Sequence, residues 1–163
     1  MKRIILILFS SCLLWTCSKE TKVELVSFTD TGCGSETVEP ATRSGDQAES
    51  QLLLEYSKEG LVVTRTNARM NCAIKTGGIA CDVSINGNVI ILDVYELGEK
   101  MRCICPVKKM TSTIAGLSQG SDYVLDYRCG GTKYGPFEFR YDKGLQQLID
   151  IDLYSWYADN FEE

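Results

Sequence analysis

The 163-residue chain contains no histidine. That absence removes Ser-His-Asp and Cys-His nucleophilic catalysis, histidine general bases and imidazole metal ligation together. Positive charge is also in short supply: 17 basic residues stand against 22 acidic ones. Nucleic acid is therefore not an expected partner, because counterion release from a phosphate backbone needs a basic face. Clusters as small as Lys108 with Lys109, or Arg65 with Arg69, read as solvated surface. Neither a Walker loop nor a dinucleotide fingerprint occurs, and Gly130-Gly131-Thr132-Lys133 lacks phosphate-loop spacing and reads as a turn. No internal repeat or coiled-coil heptad is present.

What is present starts at the N-terminus. Lys2 and Arg3 precede the apolar stretch Ile4 to Phe9, continued by Leu13, Leu14 and Trp15, the order of an export signal. The stretch is shorter than the ~20 apolar residues a spanning helix needs. It ends in Leu14-Trp15-Thr16-Cys17, which resembles the lipobox of bacterial lipoproteins; Trp15 and Thr16 are larger than the usual residues, as Bacteroidota-type lipoproteins tolerate. The resemblance implies that residues 1–16 are removed. It also implies that Cys17 is acylated on its sulfur and its amine, and each buried CH₂ of those chains contributes about 0.8 kcal/mol to membrane binding. Loss of Lys2 and Arg3 leaves 15 basic against 22 acidic residues, a net −7. The implied place is the outer membrane, lipid-anchored, with the periplasmic or surface side open.

Six further cysteines follow Cys17: Cys33, Cys72, Cys81, Cys103, Cys105 and Cys129. An even number in an oxidising compartment reads as a disulfide framework whose connectivity sequence leaves open. Cys103 and Cys105 point to one face of a strand. The preferred pairing joins Cys72 and Cys81 to these two in either order, leaving Cys33 with Cys129. A thiolate zinc site is disfavoured because neither Cys103-Ile104-Cys105 nor Cys72 with Cys81 has the usual spacing. No metal or cofactor is expected.

The rest reads as strands. Thr21 to Phe28 is one candidate, followed by a linker or long loop, Thr29 to Ser50. Leu52 to Tyr56 and Leu61 to Thr66 flank a glycine-bearing turn. From Ile79 to Glu96 apolar and polar residues alternate around Asn86-Gly87, which predicts a hairpin pairing Ile85 with Asn88, Val83 with Ile90, Cys81 with Leu92 and Ile79 with Val94. Met101 to Val107, Met110 to Ala115, Tyr123 to Arg128, Phe137 to Tyr141 and Leu145 to Leu153 complete the set. The expected fold is an all-β, disulfide-stapled two-sheet sandwich. Residues 1–16 form the signal peptide, 17–50 the tether and linker with room for one strand, 51–154 the sandwich, and 155–163 an acidic aromatic tail.

Asn71-Cys72, the Asn-Gly hairpin, Cys103-Ile104-Cys105 and Ile114-Ala115-Gly116-Leu117-Ser118-Gln119-Gly120 leading to Tyr123 resemble features of uncharacterised secreted Bacteroidota lipoproteins with an Ig-like or prealbumin-like sandwich. In such turns Gly120 supplies positive φ while Leu117 and Tyr123 plug the sandwich end. The resemblance covers less than half the chain and implies no activity. Tyr154, Ser155, Trp156, Tyr157 and Phe161 are a candidate contact cluster for a glycan or an envelope protein, set against a role capping the core. Asp150-x-Asp152 with Asp159 and Asn160 matches no calcium loop. The expected function is a non-enzymatic interaction module. The alternatives are a structural subunit of an outer-membrane assembly and, behind both, a small carboxylate-dependent hydrolase.

Overall fold

Two alternating periods, one apolar and one polar, run through most of the chain, and a strand with one apolar face must bury it against another layer. The computed structural model, which describes residues 22–33, 49–72, 74, 78–99 and 104–151, shows how that is done. Its strands are β1 (Glu24–Asp30), β2 (Gln51–Tyr56), β3 (Leu61–Asn71), β4 (Ile79–Asn86), β5 (Val89–Glu96), β6 (Ile104–Ala115), β7 (Ser121–Cys129), β8 (Thr132–Tyr141) and β9 (Gln146–Asp150). They form a five-stranded sheet ordered β1-β6-β3-β2-β9 and a four-stranded sheet ordered β4-β5-β7-β8. The pairs are antiparallel, except for β5 with β7, which run parallel. The chain is thus an all-β two-sheet sandwich with a Cys33–Cys105 disulfide.

The core lies between the sheets. Leu52, Leu54, Leu61 and Ile114 from the first sheet meet Ile90, Leu92 and Leu125 from the second, all fully buried. Burial of one such side chain contributes about 1.5–3 kcal/mol. One end is closed by the expected plug: the Ser118 N–H donates to the Tyr123 hydroxyl at 2.9 Å, Gly120 has φ 82°, and Leu117 packs on the core.

The Asn-Gly hairpin forms with the expected faces but a different register. Asn86 pairs with Val89, Ile85 with Ile90, Val83 with Leu92, Cys81 with Val94 and Ile79 with Glu96. The two-residue turn is Gly87-Asn88 rather than Asn86-Gly87, with Gly87 at φ 63°, and a glycine at the first central position is what a type II′ turn requires. A shift of two residues preserves the inward face, so the core assignment is unaffected.

The segments expected at Met101 to Val107 and Met110 to Ala115 share one strand, β6. Its inward residues are Cys105 and Val107, then Met110, Ser112 and Ile114, a change of parity at Lys108 and Lys109. β3 changes parity beside it, from Leu61, Val63 and Arg65 to Ala68 and Met70. The register is the same on both sides of the change, with Thr66 opposite Lys109 and Ala68 opposite Val107. Asn67 absorbs the twist at φ 50° and its amide donates to the Glu49 carbonyl at 2.9 Å, a conformation that Asn tolerates better than most residues.

The strand expected within the tether is built into the sandwich. β1 pairs with β6 from Glu24–Ala115 to Asp30–Met110, and Cys33 bridges Val107. Gly116, at φ 86°, lies so close to the Lys22 carbonyl that a Cβ there would overlap it. Glycine at 116 is what lets the chain enter β1 along this path.

Candidate functional site

The cysteines depart from the expected pairing. Cys33 is bonded to Cys105, with Cα atoms 5.6 Å apart, not to Cys129. β1 lies against β6, so Cys33 meets a cysteine of its own sheet, while Cys129 belongs to the other sheet. Cys72 is also disulfide-bonded, and its partner is outside the described residues, as is Cys103. Cys81 and Cys129 are free thiols, which corrects their expected roles. Both align with Val94, Cys81 through β4–β5 and Cys129 through β5–β7. With one strand between them, their Cα atoms are about 10 Å apart, beyond the roughly 7 Å that a disulfide spans.

Both thiols face the interior. Cys81 is half-buried, with its sulfur 3.5 Å from the Ser112 hydroxyl, and burial pushes its pKa up to about 11. Burial also raises Cys129, against partial relief from the Tyr127 hydroxyl and the Arg65 guanidinium. These are protonated thiols, not activated nucleophiles.

Beside them lies the least expected feature of the interior. Arg65, read from sequence as solvated surface, is 4% exposed. Among the described residues its Nε and Nη1 have no hydrogen-bond partner, and its guanidinium carbon is 4.9 Å from the centre of the Tyr134 ring. The Tyr134 ring is 5.9 Å from that of Tyr127, whose buried hydroxyl lies beside the Cys129 sulfur and has no other hydrogen-bond partner among the described residues. Burial holds the Tyr127 phenol well above its ordinary pKa. The signal that identifies Arg65 is parity: it follows Leu61 and Val63 at the strand period, on the core face. Charge alone had pointed outward.

The carboxylates sit elsewhere. On the outer face of the four-stranded sheet, Asp82 and Asp93 are cross-strand neighbours next to Arg128 and Lys133, and Asp82 accepts the Tyr95 hydroxyl at 2.9 Å. Buried Asp126 is neutralised by Lys133 at 3.1 Å and Arg128 at 3.3 Å. A shallow groove of about 470 Å³ is lined by Asn88, Asp122, Val124 and Glu138 with Tyr123 and Phe139, and Asp122 is held by Arg140 at 3.2 Å. Among the described residues, no pair of buried carboxylates faces a cleft, and no group of three or more His, Cys, Asp or Glu could hold a metal.

At the margin of the five-stranded sheet, β9 leaves Leu148 62% exposed, beside its outward-facing partner Leu53 on β2. A bare apolar residue on an edge strand is the usual target of strand addition. Cys17 and the cluster Tyr154, Trp156 and Tyr157 lie outside the described residues; in sequence, Tyr154 follows the end of β9 by four positions. Comparison of the chain with protein-family models, with curated proteins and with solved structures finds no match.

Proposed function

We propose that the chain is a lipid-anchored protein of the bacterial outer membrane whose sandwich is a non-enzymatic interaction module. Its docking edge is β9, for an extended segment of an envelope protein. The observation that carries the reading is exposed Leu148 beside Leu53 on an edge strand. Sheet order adds support: the strand that follows the Cys17 tether, β1, is at one edge and β9 at the other, four strand spacings or about 19 Å away. Among the described strands the β9 edge therefore lies on the side of the sheet remote from the strand the tether enters. The disulfide from Cys33 to Cys105 clamps β1 to β6, so tension on the lipid anchor is carried into the sheet.

The test is co-purification from the envelope with the lipid intact, comparing the native chain with Leu148→Lys. Charge on an edge strand blocks strand addition without touching the core. A neighbour recovered with the native chain and lost with the variant supports the reading; a stable stoichiometric neighbour would make the chain a structural subunit of an assembly. Equal recovery from both, or a saccharide-array signal lost on Trp156→Ala, would replace the edge with a glycan site at the C-terminal aromatics.

A further inference from the structure

The interior around Arg65 has an imbalance of kind as well as of charge. Arg65 carries a permanent positive charge at 4% exposure, and a guanidinium has donors but no acceptor. Removing such a charge from water is unfavourable unless an opposite charge compensates. No described carboxylate forms an ion pair with it. Asp126 takes Arg128 and Lys133 on the outer face, and Glu96 accepts the Asn71 N–H at 2.9 Å. Among the described residues, the groups set against the guanidinium are the Tyr134 ring, the Tyr127 hydroxyl and the Cys129 thiol. A ring face attracts a cation but carries no full negative charge, so it does not replace a counter-ion.

Asp126 Oδ1 and Arg128 Nε, on the outer face, are also buried without a partner among the described residues, but the unsatisfied groups on the core face are all donors. Among the described residues Arg65 Nε and Nη1 are buried without a partner and the Tyr127 hydroxyl has only the weakly accepting Cys129 sulfur beside it, and each carries a proton to donate. The parity change at Asn67 places Ala68 after Arg65 on the inward row, so the neighbouring side chain is the smallest apolar one. Donors from two sheets, a fixed positive charge and a small neighbour describe the lining of an anion site.

We propose that Arg65, with the Tyr127 hydroxyl, binds a small monovalent anion of the halide class between the two sheets. The anion supplies the missing negative charge and accepts the N–H and O–H donors. Its binding stabilises the folded chain, because the unfolded chain has no such site.

The experiment uses the full lipidated chain in detergent, melted in sodium bromide and in sodium gluconate at equal ionic strength. Arg65→Met and Tyr127→Phe are melted alongside, and native crystals are soaked in bromide and measured at its absorption edge. A bromide concentration ten times the Kd raises the ratio of folded to unfolded chain about tenfold in the native protein. The gain disappears in Arg65→Met and needs more bromide in Tyr127→Phe. An anomalous peak within hydrogen-bonding reach of Arg65 Nε or Nη1 supports the site. Identical melts of the native chain in the two salts, an undiminished bromide effect in Arg65→Met, or no anomalous signal between the sheets at Arg65 would each overturn it. Should Arg65→Met fail to fold, Tyr127→Phe and the anomalous map still decide.

Discussion

Cys81 provides a quantitative check on the placement of β4 at the sandwich margin. Its thiol, 3.5 Å from Ser112, is raised from 9.0 to about 11, first by burial and then by Asp82 and Asp93, against the Ser112 hydrogen bond. At pH 8 a thiol with the ordinary value is about 9% ionised and one at 11 about 0.1%, so alkylation through the thiolate runs about ninetyfold slower in the folded chain. The same shift carries a stability consequence. The folded pKa lies above the unfolded one, so the contribution is complete below pH 9 and is lost as pH rises toward 11. Two units correspond to about 2.7 kcal/mol, and solvent screening of a half-buried group reduces this to about 1 kcal/mol. The assay is urea unfolding across that pH range for the native chain and Cys81→Ser, whose difference cancels the tyrosines and lysines that titrate alongside. Rapid alkylation of the folded native chain at pH 8, or parallel pH profiles for the two proteins, would refute the burial argument.

Two further outcomes follow from the same geometry. Replacing Cys33 and Cys105 together with serine opens a crosslink across 72 residues, and the chain-entropy cost of such a loop is about 4 kcal/mol as an upper bound; urea midpoints should fall accordingly, and a loss below about 1 kcal/mol would show that β1 is held by pairing with β6 alone. Gly60→Ala places a Cβ against the Ile114 carbonyl at a φ of 151°, and the β2–β3 turn must shift to accept it, costing about 2–4 kcal/mol; a variant with the native midpoint would contradict that close approach.

Fold class was legible because its signals are local. The period of two from Ile79 to Val94, the glycines at the turns and the Gly120-to-Tyr123 plug each act over a few residues, and each is present in the structure. The expected register of the Asn-Gly hairpin failed because Gly87 can serve at either central position of a turn. Nothing within the hairpin alone distinguishes a Gly87-Asn88 turn from an Asn86-Gly87 one, as both leave the same residues inward. Connectivity failed for a different reason: Cys33 meets Cys105 only because β1 selects β6, a strand over 70 positions away, and no local pattern encodes a neighbour at that distance. Arg65 lies between these cases. Its charge reads as surface, while the strand period it shares with Leu61 and Val63 puts it on the inward row, and a guanidinium in a core is rare.

The position of Arg65 is also informative when set against the crosslinks. Met70 pairs with Cys105, and Asn71 with Ile104; Cys72 is bonded as well, so the disulfides gather at one end of β3, a few residues beyond Arg65. The other end holds Leu61, Ile114, Leu117 and Tyr123, all apolar or satisfied by the Ser118 hydrogen bond. A disulfide raises stability chiefly by restricting the unfolded chain, so it compensates for weak packing without needing any contact of its own. That stabilisation belongs to the whole fold, so it offsets part of the cost of holding a buried charge and two free thiols in a sandwich of this size.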